Sequence, residues 1–427
     1  MSLINNIVLA ALNSNLRDFD KGKQHPVEVQ MGLLDRLVNS GEETLFGKEH
    51  HFGAISSYEE FAKRVPIRLY DDFVPYIDRL RKGENYILWN EKVKWFARSS
   101  GTSSDKSKFI PITESNLREC HYKGFKTLIA SYLRNNPKSK LFLGKSLTLG
   151  GSVEIDSLGC SGIFNGDLSA ILLKNSPKIV EFVRTPAKRD AVIPNFEEKV
   201  ARIAQVCSKE NVTNFSGVPS WNLIMIRKIL EYNNASTLDQ VWPNIELFNH
   251  GGISFTPYKE QYKKLIPSDN MHYVENYNAS EGYFALQDDP DESAMTLTLD
   301  NGVFFEFIPM SSLENVLSGK SDEVYPIEGV RKGVQYAMVI TTNSGLWRYL
   351  IGDCIEFTSL FPHKIIITGR TKLFINAFGE ELMIHNAENA LQRACQKFGV
   401  TVTDFTVAPI FMESNNGKGA HQWCIEF

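Results

Sequence analysis

The pattern of apolar and polar positions changes character twice along this chain. Residues 1–90 read as largely helical. Within 28–38, Val29, Leu33, Leu34 and Leu37 share one helical face, the 3.6-residue period of an amphipathic helix. Segment 58–63 reads as a short helix closed by Pro66, because the residue before a proline is pushed out of the helical region. Segments 93–97 and 109–112 read as strands around a polar loop, 99–108. A helix is expected from near Thr113, with Leu117, Phe125, Leu128, Ile129 and Leu133 on one face, ending before Pro137.

The middle of the chain alternates. Segments 141–143, 147–149, 179–183 and 213–215 read as strands, and 196–207 and 221–232 as helices. Strands at 271–275 and 283–287 flank a turn. This alternation predicts mostly parallel sheets flanked by helices. From about residue 296 the pattern becomes short strands and turns: 296–299, 303–307, 336–341, 346–351 and 365–368. That predicts an antiparallel, β-barrel-like subdomain at about 290–370. A helix at 386–398 and strands at 403–409 and 422–427 follow. The expected class is therefore α/β, with a large N-terminal domain over 1–370. A small α+β C-terminal domain over 371–427 is expected to be incomplete, because the chain stops inside its last strand.

Composition narrows the function. The 427 residues carry a net charge of −4 and a pI near 6.2, against a broad nucleic-acid-binding surface. The six cysteines form no CxxC pair, which argues against a zinc site and for reduced thiols in the cytoplasm. No Lys or Arg precedes Arg17, so a signal peptide is not expected, and no apolar stretch is long enough for a membrane span.

Three polar stretches stand out. In 98–108, small residues, hydroxyls, Lys106 and Lys108 suit an anion cradled by backbone N–H groups. Lys106 stands where a Walker A loop needs glycine. In 277–282, Glu281 at a strand-to-turn junction suits Mg²⁺ bridging phosphate oxygens. In 345–353, Asp353 at a turn suits a ribose diol, with Arg348 and Arg370 as phosphate partners. Each stretch taken alone also fits ordinary turn material. His250 reads as a loop or core histidine, and Trp221, Trp242 and Trp347 read as core aromatics.

Taken in this order, the three stretches are far more specific. The sequence resembles the GH3 family of acyl acid–amido synthetases, of bacterial type, within the adenylate-forming superfamily. The resemblance rests on Ser99 to Ser103 with Lys106, Lys108 and Ile110-Pro111, then on 277–282, then on Arg348-Tyr349 with Gly352-Asp353. Segment 369–381 is similar to the family's hinge. Ser104-Asp105 stands where glycines are usual, and Leu350 replaces an arginine common in plant members. The family's C-terminal domain continues past the point where this sequence ends, so the resemblance assigns no catalytic lysine from that domain.

The resemblance implies a two-step ligase using ATP and Mg²⁺. A carboxylic acid is adenylated, and an amino acid or other amine then displaces AMP. It implies catalytic roles for Lys108, Glu281 and Arg370, with Glu281 holding the metal. Nucleotide contacts are implied for Ser99, Ser100, Gly101, Thr102, Ser103, Lys106, Gly251, Gly252, Tyr277, Ser280, Tyr349 and Asp353. The acyl pocket is expected near Tyr122, Gly217, Val218 and Trp221. A homologue that binds nucleotide or acyl group without turnover, and an acyl-CoA-forming relative, are the alternatives.

Overall fold

The computed structural model describes residues 3–99, 107–156, 158, 162–371, 374–375, 382–410 and 420–427. Its frame is one 11-stranded sheet of mixed direction. Five strands are mutually parallel: His272–Ala279, Leu247–His250, Val212–Gly217, Lys145–Thr148 and Arg184–Thr185. The other six run antiparallel to their neighbours, from Gly282–Leu286 out to Val303–Pro309. The expected change at about 296 is therefore a change of strand direction within one continuous sheet. The two-residue hairpin between His272–Ala279 and Gly282–Leu286 joins the halves.

Local sequence explains the helices on the parallel half. Phe196–Cys207 starts at Asn195, whose Oδ1 accepts from the Glu198 N–H at 2.9 Å, an N-cap reinforced by the acidic Glu197 and Glu198 near the helix dipole's positive end. Pro219–Asn233 begins with proline in its first turn, where no N–H is missed. The apolar faces of both helices meet Phe215, Phe248 and Trp242 in one core.

A smaller sheet of four strands carries the first polar loop. Trp95–Ser99 and Lys108–Ile112 pair antiparallel, with Ser99 opposite Lys108 at the end where the chain connects them. Arg81 anchors this sheet. Its guanidinium binds Asp156 at 2.9 and 3.0 Å and lies 3.6 Å from the Phe109 ring centroid.

Several expected elements differ. Segments 141–143 and 179–183 are 3₁₀ turns, Leu141–Leu143 and Lys178–Phe182. Ile179 and Phe182 are 73% and 79% exposed, and this turn runs directly into the edge strand Arg184–Thr185. The strand expected at 346–351 begins instead at Tyr349. Arg348 holds a positive φ of 46°, which ends any extended run. That strand then continues to Leu360, so Asp353 lies inside a strand and not at a turn. In the C-terminal part, helix Ile384–Phe398 and the pair Asp404–Ile410 and Ala420–Glu426 form as expected. Within 369–381, residues 372–373 and 376–381 lie outside the described residues. Among the described residues no helix is long and apolar enough to cross a membrane.

Arg348 is also not a phosphate partner. It is buried and grips Glu306 with Nε and Nη2 at 2.8–3.1 Å. Its Nη1 donates to the carbonyls of Ala62 and Val65, both at 2.8 Å. The pair ties helix Tyr58–Arg64 to the sheet. Removing one partner leaves a buried charge uncompensated, so Arg348→Met is expected to cost about 3–5 kcal/mol of stability. Denaturant unfolding measures this, and an unchanged midpoint with lost nucleotide binding would return Arg348 to the site.

Candidate active site

A cavity of about 1910 Å³ runs along the C-terminal ends of the parallel strands, the edge where open α/β sheets place ligands. Of the expected residues, it is lined by Ser99, Tyr122, Gly217, Val218, Gly251, Gly252, Tyr277, Ser280, Glu281, Asp353 and Arg370. Trp221 is not among them. It is 50% exposed and packs on Phe196 at 4.7 Å between ring centroids, because its turn of Pro219–Asn233 faces away from the sheet. Ser100, Gly101, Thr102, Ser103 and Lys106 lie outside the described residues.

Two carboxylates occupy the polar end. Ser280 and Glu281 form the tip of the hairpin joining the sheet halves, and this tip is buried: Glu281 is 5% exposed. Burial pushes its carboxyl up to about 7, and the nearby charge of Asp353 adds to that. Lys108 and Arg370 oppose the shift. Asp353 accepts from the Tyr277 hydroxyl and from Arg370 Nε at 2.8 Å. Its strand neighbour across the ladder is Arg370 itself, so register alone sets that pair. Lys108 donates to the Tyr349 hydroxyl at 3.2 Å, which places both residues against this cluster without lining the cavity.

The glycine pair after Leu247–His250 has a packing reason. A Cβ on Gly251 would lie 2.3 Å from the Asn276 carbonyl oxygen. Asn276 in turn donates to the His250 carbonyl at 2.8 Å. Any side chain there would push the two strands apart. His250 itself is a buried core histidine, as expected, kept neutral because burial pushes its imidazole down to about 3.

Other cavity residues carried no sequence motif. Ile7, Val8 and Leu12 come from the first helix, Leu3–Gln24, whose packing against helix Tyr122–Asn135 no local pattern reveals. His121 and Tyr283 also line the cavity. His121 ends a π-helical turn, Asn116–His121, a feature concentrated at functional sites.

The donor set constrains any metal. Among the described residues no three His, Cys, Asp or Glu side chains are placed to share an ion. A single buried carboxylate with a raised pKa fits a divalent cation that takes its other ligands from substrate phosphates and water, the habit of Mg²⁺.

Residues 15–271 match the GH3 family N-terminal domain and residues 296–370 the GH3 family central domain. The chain belongs to the GH3 family. This GH3 protein is 22% identical over 395 residues to indole-3-acetic acid-amido synthetase GH3.3 of Arabidopsis thaliana, covering 78% of this chain and 65% of that one. It is 25% identical over 402 residues to jasmonoyl–L-amino acid synthetase JAR4 of Nicotiana attenuata, covering 80% and 68%. It thus spans about two thirds of the length of these relatives. Its fold is similar to that of AtGH3.15 acyl acid amido synthetase in complex with 2,4-DB, with a TM-score of 0.77 at 17% identity over 98% of this chain and 80% of that one. A structure of 2-hydroxyisobutyryl-CoA ligase with 2-HIB-AMP and CoA matches at a TM-score of 0.56 and 12% identity, over 93% and 78%. At these identities the likeness is one of fold.

The Glu281 carboxyl makes a pH prediction. Its pKa is raised from 4.5 to about 7, so the folded chain binds the proton more tightly than the unfolded chain. That contribution to stability is complete below pH 4.5 and is lost as pH rises to 7. Glu281→Gln removes the buried charge. The ligand-free variant should therefore be more stable than wild type at pH 8, by on the order of 1–3 kcal/mol, with the difference vanishing toward pH 4.5. Thermal melts at both pH values decide it. A variant equally or less stable at pH 8 would mean that the carboxylate is not buried as a charge.

Proposed function

We propose that this GH3 protein is an ATP-dependent ligase that adenylates a carboxylic acid and passes the acyl group to an amine, such as an amino acid. The observation that carries this reading is the buried Glu281–Asp353 pair, flanked by Arg370 and Lys108, at one end of a cavity far larger than a nucleotide needs. Drug-sized ligands fill roughly 300–1,000 Å³, and about 1910 Å³ leaves room for an acid and an amine beside ATP.

In this reading each group works by position and charge. Asp353 accepts hydrogen bonds from the ribose diol, oriented by Arg370 and Tyr277. Gly251 and Gly252, with Tyr277, line the adenine slot. Ser99 to Ser103 and Lys106 cradle the phosphates, with Ser280 and Tyr349 completing the nucleotide site. Lys108 and Arg370 neutralise charge developing on the α-phosphate as the acid attacks and pyrophosphate leaves. Glu281 would hold Mg²⁺, which when bound spreads the phosphate charge. Tyr122, Gly217 and Val218 wall the acyl group. The relatives' names give the acids they act on as indole-3-acetic acid, jasmonate and 4-substituted benzoates, and these define a first panel for this chain. Among the described residues the cysteines are free, with Cys120, Cys207 and Cys354 buried, which supports a cytoplasmic location.

Pyrophosphate exchange across that panel tests the reading, and amine screening with the best acid separates amide from thioester formation. Asp353→Ala should weaken ATP binding at least about tenfold, because hydrogen bonds to a charged group contribute about 1.5–3 kcal/mol each. Binding of the free acid should hardly change. Calorimetry showing unchanged ATP affinity would remove Asp353 from the nucleotide site.

A further inference from the structure

The parallel strands present two unlike faces. One carries Leu147, Phe215 and Phe248 in register, packed in one core with helices Phe196–Cys207 and Pro219–Asn233. The other carries Thr148, Ser216 and Asn249 in the adjoining register row, with Ser146 beside Asn214 in the row before it. Alternation along each strand sets this division. A parallel sheet covered on both faces is normally apolar on both. Five polar residues side by side therefore mark a face that packing does not close. All five line the cavity.

The wall across from them is apolar. Leu247 is two positions from Asn249, hence on the same face, and it belongs to the core that holds Ile129, with Leu12, Phe142, Leu168 and Leu172 packed against it. These five residues of the helical side and its connecting turn also line the cavity, together with Phe125, which is 41% exposed. The Tyr122 hydroxyl donates to the Leu172 carbonyl at 2.8 Å, which joins helix Tyr122–Asn135 to helix Leu168–Asn175 as one roof. This part of the cavity is a trough with a hydrogen-bonding floor and an apolar roof.

Strand order gives its length. From His272–Ala279, beside Glu281, the trough crosses Leu247–His250 and Val212–Gly217 to reach Lys145–Thr148. Three strand spacings of about 4.8 Å make roughly 14 Å. An extended chain advances about 3.3–3.6 Å per three bonds, so this is a run of about twelve bonds. A single ring with a short carboxylate arm leaves the far strands uncovered. Ile179, in the turn before edge strand Arg184–Thr185, also lines the cavity and is 73% exposed, so the far end is open.

The floor is not uniform. Asn214 Nδ2 donates to Thr213 Oγ1 at 3.2 Å, and Asn249 Oδ1 accepts from Asn276 Nδ2 at 2.7 Å. The hydroxyls of Ser146, Thr148 and Ser216 make no side-chain hydrogen bond among the described residues. All three residues are half-buried and line the cavity, and they sit toward its far end on neighbouring strands.

We propose that the acid adenylated here is an elongated one, about twelve chain atoms long, that lies across the parallel strands. Its carboxylate sits at the Glu281–Asp353 end, its apolar edge meets the helices, and an oxygen substituent at the far end meets Ser146, Thr148 and Ser216. This rests on the ligase reading above and names its substrate class.

The test is pyrophosphate exchange by wild type on straight-chain acids from butanoate to hexadecanoate, on 12-hydroxydodecanoate, and on indole-3-acetate, jasmonate and benzoate. The kcat/KM is expected to rise about two- to fourfold per added methylene, the effect of burying one. The rise should stop near dodecanoate and then level off, because the far end is open. 12-Hydroxydodecanoate should exceed dodecanoate about tenfold, since a hydrogen-bonding wall discriminates against a chain that leaves it unpaired. It should also exceed the three ring acids. Ser146→Phe places a ring in the far end of the trough and should lower exchange with dodecanoate at least about tenfold more than with hexanoate. The wild-type profile carries the test by itself if this variant fails to fold. A profile that is flat or falls with length, or a ring acid used better than every chain acid, overturns the proposal and leaves the ligase reading standing. Equal use of dodecanoate and 12-hydroxydodecanoate overturns it too, because the three hydroxyls then take no part. If no acid supports exchange, calorimetry with 12-hydroxydodecanoate decides. Binding that Ser146→Phe weakens keeps the trough as an acid site and removes the ligase reading, and absence of binding removes both.

Discussion

Charge held out of water is the constraint around which this molecule is arranged. Glu281 faces the cavity from a hairpin tip and Asp353 from a strand, and each would be expensive to ionise there alone. The fold meets this with Arg370, paired to Asp353 by the ladder itself, with Lys108 held against Tyr349, and with the Tyr277 hydroxyl. The Glu281 carboxyl is still left with its pKa near 7. A site left short of positive charge is suited to a ligand that brings its own cation, which is how phosphates reach most enzymes.

The position of this cluster follows from the sheet. The parallel half supplies loops at the C-terminal strand ends, and the antiparallel half supplies long, stiff strands. Glu281 sits on the hairpin where the halves join, and Asp353 and Arg370 sit on paired strands of the antiparallel half. Both carboxylates are therefore borne on rigid backbone. The separate hairpin of Trp95–Ser99 and Lys108–Ile112 is pinned by Arg81 and Asp156. The two arginines of the third polar stretch and its neighbour divide the work. Arg348 spends its donors on Glu306 and two carbonyls to hold a helix on the sheet, while Arg370, half-buried, lines the cavity with its guanidinium bound through Nε to Asp353.

Much of this was readable in the residues alone. The helices at 28–38, 196–207 and 221–232 follow from apolar spacing and capping, which are local. The motif residues Glu281, Asp353 and Arg370 stood out because acidic and basic groups beside glycines and small residues are chemically conspicuous. The GH3 resemblance rested on their order along the chain, which is one-dimensional information.

Other features depend on contacts between distant segments. Short apolar runs at 141–143 and 179–183 look like strands, but each winds into a 3₁₀ turn that leads into a sheet strand, Lys145–Thr148 or Arg184–Thr185. Arg348 and Arg370 look alike in sequence, and only the placement of Glu306 separates a structural ion pair from a cavity-lining one. Trp221 was indistinguishable from a pocket residue until its helix was rotated into place. His121 and Tyr283 are 162 positions apart and belong to no motif, so their unpaired atoms exist only once the π-helical turn lies on the hairpin. The sequence by itself determined which segments are helices and which polar groups are unusual. Tertiary structure decided which of those groups lose their water together, because burial is a property of neighbours and not of residues.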